Sequence, residues 1–227
     1  MSANLAKRRG VALYGGSFDP IHQGHLALIT KVWESLPIAK LYLLPAGNPW
    51  QKAFVSSAEH RLEMLKLALK DWATDDVSLI TDELSSERPN YTVETLEQWR
   101  NKLGTSFPLS FVMGMDQWHN LETWYRWEEL LDLANLVVIT REQTTQGTLS
   151  ARLTALLERC ACPPESLLSK THGGIVMLNM PKHPANASEL RMSFALCGYT
   201  STAQRYGHWL TPGVLQYIRE HRLYQHR

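Results

Sequence analysis

Short apolar runs alternate with helix-like segments along the whole chain of 227 residues. Runs that suit buried strands lie at residues 11–16, 40–47, 77–84, 109–116, 135–141 and 174–180. Segments with apolar residues at helical spacing separate them, at residues 26–36, 61–70, 92–100, 122–134 and 149–161. Because this order of elements builds parallel sheets, we predict a Rossmann-like α/β fold, a doubly wound parallel sheet with helices on both faces.

Two more helices are predicted after the last strand. Residues 188–198 form a short helical pattern that ends at Gly198. Thr211 and Pro212 are typical of an N-cap and first turn, and they precede an amphipathic segment at residues 213–224. We therefore expect residues 1–227 to form a single domain in which residues 188–227 are a small C-terminal helical part.

The predicted topology also predicts where a ligand binds. In open parallel sheets, ligands occupy the crevice beyond the carboxyl ends of the strands. The positions that this rule selects are Gly15 to Asp19, Ala46 to Lys52, Asp116, Arg141 and the segment near Asn186.

The composition argues against several classes of protein. Lys and Arg number 23 against 22 Asp and Glu, so the net charge is +1 and general binding of nucleic acid or of a membrane surface has no electrostatic support. No stretch approaches the roughly 18 apolar residues of a membrane span, and the N-terminal apolar run is too short for a signal peptide. Three cysteines without zinc-type spacing are typical of reduced thiols, so a cytoplasmic location is expected.

Residues 15–25 read GGSFDPIHQGH and contain the chain's most informative motif. Gly15 and Gly16 follow a strand, so we expect a sharp turn there and close approach of phosphate oxygens to main-chain N–H groups. Asp19 and the proline after it favour a turn. Gly24 would allow a nucleotide to lie against the start of the next helix.

The two histidines of this motif are three residues apart. His22 and His25 should share one face near the positive end of a helix, where imidazole donors can contact a phosphate and stabilise transition-state charge. A core histidine pair and a zinc pair are the alternatives, and zinc is disfavoured because no third ligand is recognisable nearby. The dinucleotide fingerprint GxGxxG is absent, which argues against a hydride-transferring Rossmann enzyme.

The motif closely resembles the T/HxGH signature of the nucleotidyltransferase superfamily, in the form typical of bacterial nicotinate-mononucleotide adenylyltransferases. Five further segments resemble the same family in order and spacing: PAGNPWQK (45–52), RPNYTVETL (88–96), GMDQWHNLETWYRWEELL (114–131), VVITR (137–141) and NASELR (186–191). The resemblance implies transfer of AMP from ATP to nicotinate mononucleotide, which gives deamido-NAD and pyrophosphate in NAD biosynthesis. It also implies assistance by Mg²⁺, without dedicated metal-ligating residues in the chain.

The resemblance implies an ATP site that residues 188–227 complete. Its predicted contacts are Gly15, Gly16, Ser17, Phe18, His22, Gly24, His25, Asn186, Ser188 and Arg191, and its predicted catalytic residues are His22, His25, Lys52 and Arg191. We expect Ser188 to cap a helix whose free N–H groups bind phosphates, with Arg191 one turn further on. Asn186 departs from the serine or threonine that is frequent at its position in the family, and Ser188 replaces a threonine, so a hydroxyl is kept at the second position.

The acceptor site is predicted from the middle of the chain. By resemblance, Trp124 stacks on the pyridine ring, and backbone groups near Thr92 and Tyr125 receive its carboxylate. Asp116 is expected to bind ribose hydroxyls or to orient hydrated magnesium. The remaining predicted acceptor contacts are Asp19, Tyr91 and Arg141.

Three alternatives stay open on the residues alone. A phosphopantetheine adenylyltransferase would share the histidine motif, although those chains are shorter and give residues 118–127 no evident task. The amide substrate, nicotinamide mononucleotide, could replace the acid. A nucleotide sensor without catalysis would be favoured if the phosphate-binding cations were missing, yet His22, His25, Lys52 and Arg191 are all present. No sequence feature indicates an oligomeric state.

Overall fold

The computed structural model describes residues 8–47, 56–70, 76–81, 91–141 and 148–225. Six strands in this part of the chain form one sheet in which every neighbouring pair is parallel, in the order β3-β2-β1-β4-β5-β6. The strands are β1 (Val11–Gly16), β2 (Lys40–Pro45), β3 (Val77–Leu79), β4 (Leu109–Gly114), β5 (Asn135–Arg141) and β6 (Ile175–Met180). This order is that of the doubly wound nucleotide-binding sheet, so the predicted fold class is confirmed.

Eight α-helices lie within the described residues. They are α1 (Gln23–Ser35), α2 (Ala58–Leu69), α3 (Thr92–Leu103), α4 (Met115–His119), α5 (Leu130–Leu133), α6 (Ala151–Cys160), α7 (Ala187–Tyr206) and α8 (Pro212–Glu220). None of the described helices combines the length and the apolar character that crossing a membrane requires.

The helices cover both faces of the sheet because the strand side chains alternate in direction. Ala12 and Tyr14 of β1 join a buried cluster with α1, α2, α7 and α8. Val11 and Leu13 of the same strand join a second cluster with α3, α4, α5 and α6. The predicted helices on both faces are therefore confirmed, and the last two helices pack on the same side as α1.

The prediction of one helix over residues 122–134 is wrong. The structure has two short 3₁₀ turns, Leu121–Thr123 and Trp127–Glu129, before α5. Trp124 is extended (φ −80°, ψ 143°), and Arg126 is left-handed (φ 51°, ψ 40°). The Arg126 guanidinium forms ion pairs with Glu129, three residues later, and with Glu97 of α3, and the second of these is a tertiary contact that the helical pattern does not include.

One predicted boundary moves. The strand expected at residues 109–116 ends at Gly114, so Asp116 lies in the first turn of α4 and not at a strand end. The helix end expected at Gly198 is confirmed, because Gly198 is left-handed and non-helical (φ 72°, ψ 176°), and a further helical segment that was not predicted follows it to Tyr206. The predicted capping of the last helix is confirmed, because the Thr211 side chain accepts a hydrogen bond from Val214 N–H at 3.4 Å.

Candidate active site

The crevice lies where the strand order reverses, between β1 and β4. β1 leads through residues 17–22 into α1, and β4 leads directly into α4. The two chain segments leave the sheet toward opposite faces, which opens a cleft at their carboxyl ends. The histidine motif therefore lies at the place where folds of this class bind nucleotides.

The two histidines are the N-terminal caps of α1. His22 is the N-cap residue, and its Nδ1 accepts a hydrogen bond from Gly24 N–H at 3.1 Å. His25 Nδ1 accepts from His22 N–H at 3.2 Å, which completes a reciprocal capping box. The ring centroids of His22 and His25 are 3.8 Å apart, so the predicted pairing of the imidazoles on one face is confirmed.

This capping arrangement fixes the tautomer of both rings. A neutral imidazole has one N–H donor and one acceptor nitrogen, and here Nδ1 of each ring is the acceptor. The proton of each neutral ring therefore resides on Nε2. Two Nε2–H donors at the positive end of a helix suit an anion, and a phosphate is the anion that this position favours in proteins.

The turn before the histidines differs from the expectation in one respect. Gly15 and Gly16 remain in β1, where they pair with Leu44 and Pro45, so the expectation that they make the sharp turn is wrong. The left-handed residue of the turn is Phe18 (φ 49°), and its side chain is fully buried. A Cβ on Gly16 would lie 2.9 Å from the Phe18 ring, so this glycine makes room for the ring.

Phe18 in turn supports the histidine pair. Its ring meets His25 edge-on at 5.2 Å and Tyr14 edge-on at 5.3 Å. Because the Phe18 side chain is enclosed by protein, the backbone is the part of this residue that can face a nucleotide. The predicted contacts of Gly15, Gly16, Ser17 and Phe18 with ATP stay predictions.

Gly24 is the position where the smallest change should disturb the histidines. A Cβ there would lie 3.0 Å from Cε1 of His22 and 3.4 Å from the carbonyl oxygen of Ala185. Gly24→Ala should leave the stability of the protein about unchanged, because a gain in helix propensity of about 0.5–1 kcal/mol offsets the steric cost of moving the His22 ring. The displaced ring should lower turnover about tenfold. Steady-state kinetics and the midpoint of thermal unfolding measure the two effects.

Gly213→Ala is the matched control. Gly213 also lies in the first turn of a helix, α8, and a Cβ there would meet Leu67 at an ordinary 3.5 Å. Turnover of this variant should equal that of the unmodified protein. An equal loss of turnover in both variants would contradict the steric argument.

Asp19 is engaged by the protein itself. The residue is only 1% exposed. Its Oδ1 accepts from the Tyr224 hydroxyl at 2.6 Å, and its Oδ2 accepts from Ser56 N–H at 3.0 Å. Its predicted contact with the acceptor stays a prediction, and the observed role of this carboxylate is to tie the turn to α2 and to the C-terminal segment.

The sequence interpretation missed Arg61. Its buried guanidinium donates to three backbone carbonyls, those of Ser17, Gly47 and Ser56, at 3.1, 2.9 and 3.0 Å. Burial lowers the pKa of Arg61, and the neighbouring Asp19 carboxylate opposes that shift. The available signal was its spacing, since an arginine three residues before Met64 lies on the buried face of α2.

The second wall of the cleft is the start of α7. Asn186 caps this helix, and its Oδ1 accepts from Ser188 N–H at 2.8 Å and from Glu189 N–H at 3.1 Å. The expectation that Ser188 is the cap is therefore wrong, because the amide oxygen two residues earlier already receives its N–H. Arg191 donates from Nη1 to the Asp19 carbonyl at 2.6 Å and from Nη2 to Ser188 Oγ at 3.1 Å, so it joins α7 to the histidine turn.

The cap at Asn186 gives a stability prediction. Asn186→Ala should lower the free energy of unfolding by about 1 kcal/mol, because two N–H groups lose their acceptor. Asn186→Ser restores a capping oxygen and should recover most of that loss. Urea titration of the three proteins measures the difference, and equal stabilities of the alanine variant and the unmodified protein would show that the cap contributes nothing.

The predicted acceptor residues gather at the other side of the cleft. α3 starts at Thr92, and the side chain of its N-cap residue, Tyr91, makes no capping hydrogen bond. The first-turn N–H groups of α3 therefore have no side-chain acceptor from the N-cap residue, and they lie at the positive end of the helix, which favours an anion. The Tyr91 and Tyr125 rings are 4.6 Å apart, and Tyr125 is 51% exposed. Trp124 is half-buried and meets Phe111 of β4 edge-on at 6.2 Å.

The remaining predicted residues have separate outcomes. Asp116 is exposed in the first turn of α4, next to the end of β4. Arg141 is the last residue of β5, paired with Met180, so its backbone lies at the predicted edge of the sheet. Lys52 lies outside the described residues. Within residues 8–47, 56–70, 76–81, 91–141 and 148–225, no group of three or more His, Cys, Asp or Glu residues is arranged to bind a metal ion.

Comparison with known proteins agrees with this geometry. The cytidylyltransferase-like family matches residues 13–193. A probable nicotinate-nucleotide adenylyltransferase of Xylella fastidiosa (strain 9a5c) is 34% identical over 219 residues, which are 93% of this chain and 94% of the relative. The chain belongs to the nicotinate-nucleotide adenylyltransferase family. A second such relative, from Laribacter hongkongensis (strain HLHK9), is 35% identical over 96% of each chain.

A solved structure extends the likeness to the fold. The nicotinic acid mononucleotide adenylyltransferase of Plasmodium falciparum, complexed with NaAD, superposes with a TM-score of 0.71 at 17% identity and covers 95% of this chain and 97% of its own. At that identity the likeness supports the architecture alone. The two chains therefore share one α/β architecture over nearly their whole lengths.

Proposed function

We propose that this chain transfers AMP from ATP to nicotinate mononucleotide, giving deamido-NAD and pyrophosphate in the biosynthesis of NAD. The observation that carries the proposal is the pair of imidazoles at the start of α1, whose Nδ1 atoms accept backbone N–H groups. Arg191, in the first turns of α7, donates to the Asp19 carbonyl of the same turn and so brings a positive charge close to the pair. The names of the relatives, probable nicotinate-nucleotide adenylyltransferases, support the same reaction.

The chemistry is an in-line displacement at the α-phosphorus of ATP. The mononucleotide phosphate is already ionised and attacks directly, so no protein nucleophile and no covalent intermediate are needed. The P–O bond to the pyrophosphate leaving group breaks as the new P–O bond forms. The protein's tasks are to align the two nucleotides and to neutralise the charge that accumulates on the leaving oxygens.

We assign the phosphate contacts to the two helix starts of the cleft. Nε2–H donors of His22 and His25 stabilise charge on the transferred and leaving phosphates, and Arg191 adds a fixed positive charge. The start of α7 adds the positive end of a second helix dipole, with its Ser188 and Glu189 N–H groups held by Asn186, so we propose that residues 188–227 complete the ATP site of a single domain. Lys52, Gly24 and Ser188 are proposed as further contacts on this side.

Magnesium enters as part of the nucleotide substrate. Mg²⁺ binds substrate phosphates and keeps several waters, with one or two carboxylates from the protein. Asp116, exposed beside the end of β4, is the described carboxylate that we propose for this role or for the ribose hydroxyls. The ion would supply charge neutralisation on the triphosphate.

The acceptor is proposed to bind between α3 and residues 124–125. Main-chain N–H groups at the start of α3, near Thr92, suit the nicotinate carboxylate because the helix dipole favours a negative charge there. Trp124 supplies a face for the pyridine ring, and Tyr91 and Tyr125 border the same space. Asp19 and Arg141 stay proposed contacts of lower rank, since the Asp19 carboxylate already binds Tyr224 and Ser56.

The deciding experiment is an assay of pyrophosphate release. The purified protein is incubated with ATP, Mg²⁺ and one of three acceptors: nicotinate mononucleotide, nicotinamide mononucleotide or phosphopantetheine. We expect release with the first, much weaker release with the second and none with the third. A preference for the amide would change the acceptor assignment, and no release with any acceptor would contradict the proposed reaction and favour a nucleotide sensor.

A cytoplasmic location is proposed with this reaction. Cys160, Cys162 and Cys197 are free thiols in the structure, as suits a reducing compartment.

A further inference from the structure

The segment after α8 returns to the histidine turn. Leu223 is buried, and the next residue, Tyr224, has a left-handed backbone (φ 64°) like Arg222 before it (φ 50°). Non-glycine residues in this conformation persist only where the surrounding packing holds them, and they occur preferentially at functional positions. The contacts of the Tyr224 side chain are therefore candidates for a functional role.

Tyr224 places its hydroxyl on the turn that precedes His22. The hydroxyl donates to Asp19 Oδ1 at 2.6 Å, across 205 residues of sequence. Its ring lies 6.0 Å from the ring of Phe194 in a stacked orientation, so α7 supports it. Burial raises the pKa of Tyr224 well above its usual value, and the adjacent carboxylate adds to that shift, so the hydroxyl remains a donor at any pH at which the enzyme would work.

Asp19 connects Tyr224 to the residues that are proposed to bind phosphate. Its carbonyl oxygen accepts from Nη1 of Arg191 at 2.6 Å, and its backbone continues three residues later into His22. The carboxylate is held on its other side by Ser56 N–H at 3.0 Å. One buried residue thus fixes both the guanidinium of Arg191 and the approach of the chain to the imidazole pair.

We propose that Tyr224 is a positioning residue for nucleotidyl transfer. Its hydroxyl holds the Asp19 carboxylate, which keeps the Asp19 carbonyl aligned with Arg191 and keeps His22 and His25 in register with that guanidinium. The inference rests on the proposed function, in which these three residues contact the phosphates of ATP. Tyr224 itself acts through Asp19 and touches no substrate.

The removal of one oxygen atom tests the proposal. Tyr224→Phe keeps the ring packed against Phe194 and leaves Asp19 with one side-chain donor fewer. We expect kcat to fall about tenfold and ATP binding to weaken by about threefold or more, since misplaced catalytic groups lose transition-state contacts before ground-state ones. Tyr217→Phe is the matched control, because that hydroxyl lies in α8 and bonds His60 Nδ1 at 3.0 Å instead.

The readouts separate positioning from stability. Turnover with nicotinate mononucleotide and calorimetric binding of ATP alone are both measured well below the unfolding midpoint of each variant. A Tyr224→Phe protein that melts earlier but shows normal kcat and normal ATP binding would overturn the proposal, as would equal defects in the two tyrosine variants. If the unmodified protein releases no pyrophosphate, the proposed reaction fails, and the calorimetric comparison still decides whether Tyr224 shapes the ATP site.

Discussion

His22→Asn is expected to lower turnover by at least about a hundredfold, the scale for losing a preorganised donor to transition-state charge. Asparagine is itself a favoured N-cap residue, and its side-chain oxygen can accept the Gly24 N–H that His22 Nδ1 now accepts. The variant therefore keeps the helix cap and removes the Nε2–H donor together with the ring that pairs with His25. Its thermal unfolding midpoint should stay close to that of the unmodified protein, so the two roles of the ring are separated in one substitution.

His25→Asn and His25→Ala should show the same loss of at least about a hundredfold, because His25 presents the second Nε2–H donor. His60→Asn is the matched control, since His60 lies in α2 and its Nδ1 contacts the Tyr217 hydroxyl. Its turnover should change by less than about twofold. Near-normal turnover in either motif variant would show that the histidine concerned is a structural cap and not a phosphate ligand.

The dual use of these rings explains why the motif is so informative in sequence. A residue that only caps a helix can be Ser, Thr, Asp or Asn, and a residue that only binds phosphate can be Lys or Arg. Histidine at both the N-cap and the third helical position satisfies backbone N–H groups with one nitrogen and offers a donor with the other. The spacing of His22 and His25 therefore follows from the capping box as much as from the ligand.

The fold was predictable because its determinants are local. The central strands β1, β4 and β5 are short apolar runs with buried residues on both faces, and each crossover helix carries an apolar stripe of ordinary spacing. The failures have tertiary causes. Residues 122–134 have helical spacing, yet Arg126 is held left-handed by Glu97 and Glu129, and Glu97 belongs to a different helix.

The site was predictable to the extent that it is contained in contiguous motifs. The histidine turn, Arg191 and the start of α3 at Thr92 lie where the sequence placed them. Arg61 and Tyr224 were missed because their partners lie 44 and 205 residues away, in Ser17 and Asp19. The spacing of Arg61 predicts that it lies on the buried face of α2, but no spacing predicts the partners of these two residues, which only the folded chain brings together.

Trp124→Ala should raise the KM for nicotinate mononucleotide by about ten- to a hundredfold, because stacking of a heteroaromatic ring on an aromatic side chain contributes about 1–3 kcal/mol. The extended backbone at Trp124, between two 3₁₀ turns, keeps the indole out of a regular helix, half-buried against Phe111. The KM for ATP should change by less than about twofold, since the residues proposed to bind the phosphates of ATP lie on α1 and α7. Trp124→Phe should give an intermediate KM, as a smaller aromatic face remains.

Trp33→Ala controls for the loss of a half-buried indole as such. Trp33 lies in the last turn of α1, at the end opposite to His22, and packs under Arg8 at 4.0 Å. Its loss should lower stability and leave both KM values near those of the unmodified protein. If Trp124→Ala raised the KM for ATP as strongly as that for the mononucleotide, the indole would be supporting the whole cleft, and the pyridine ring would have to be placed elsewhere along α3.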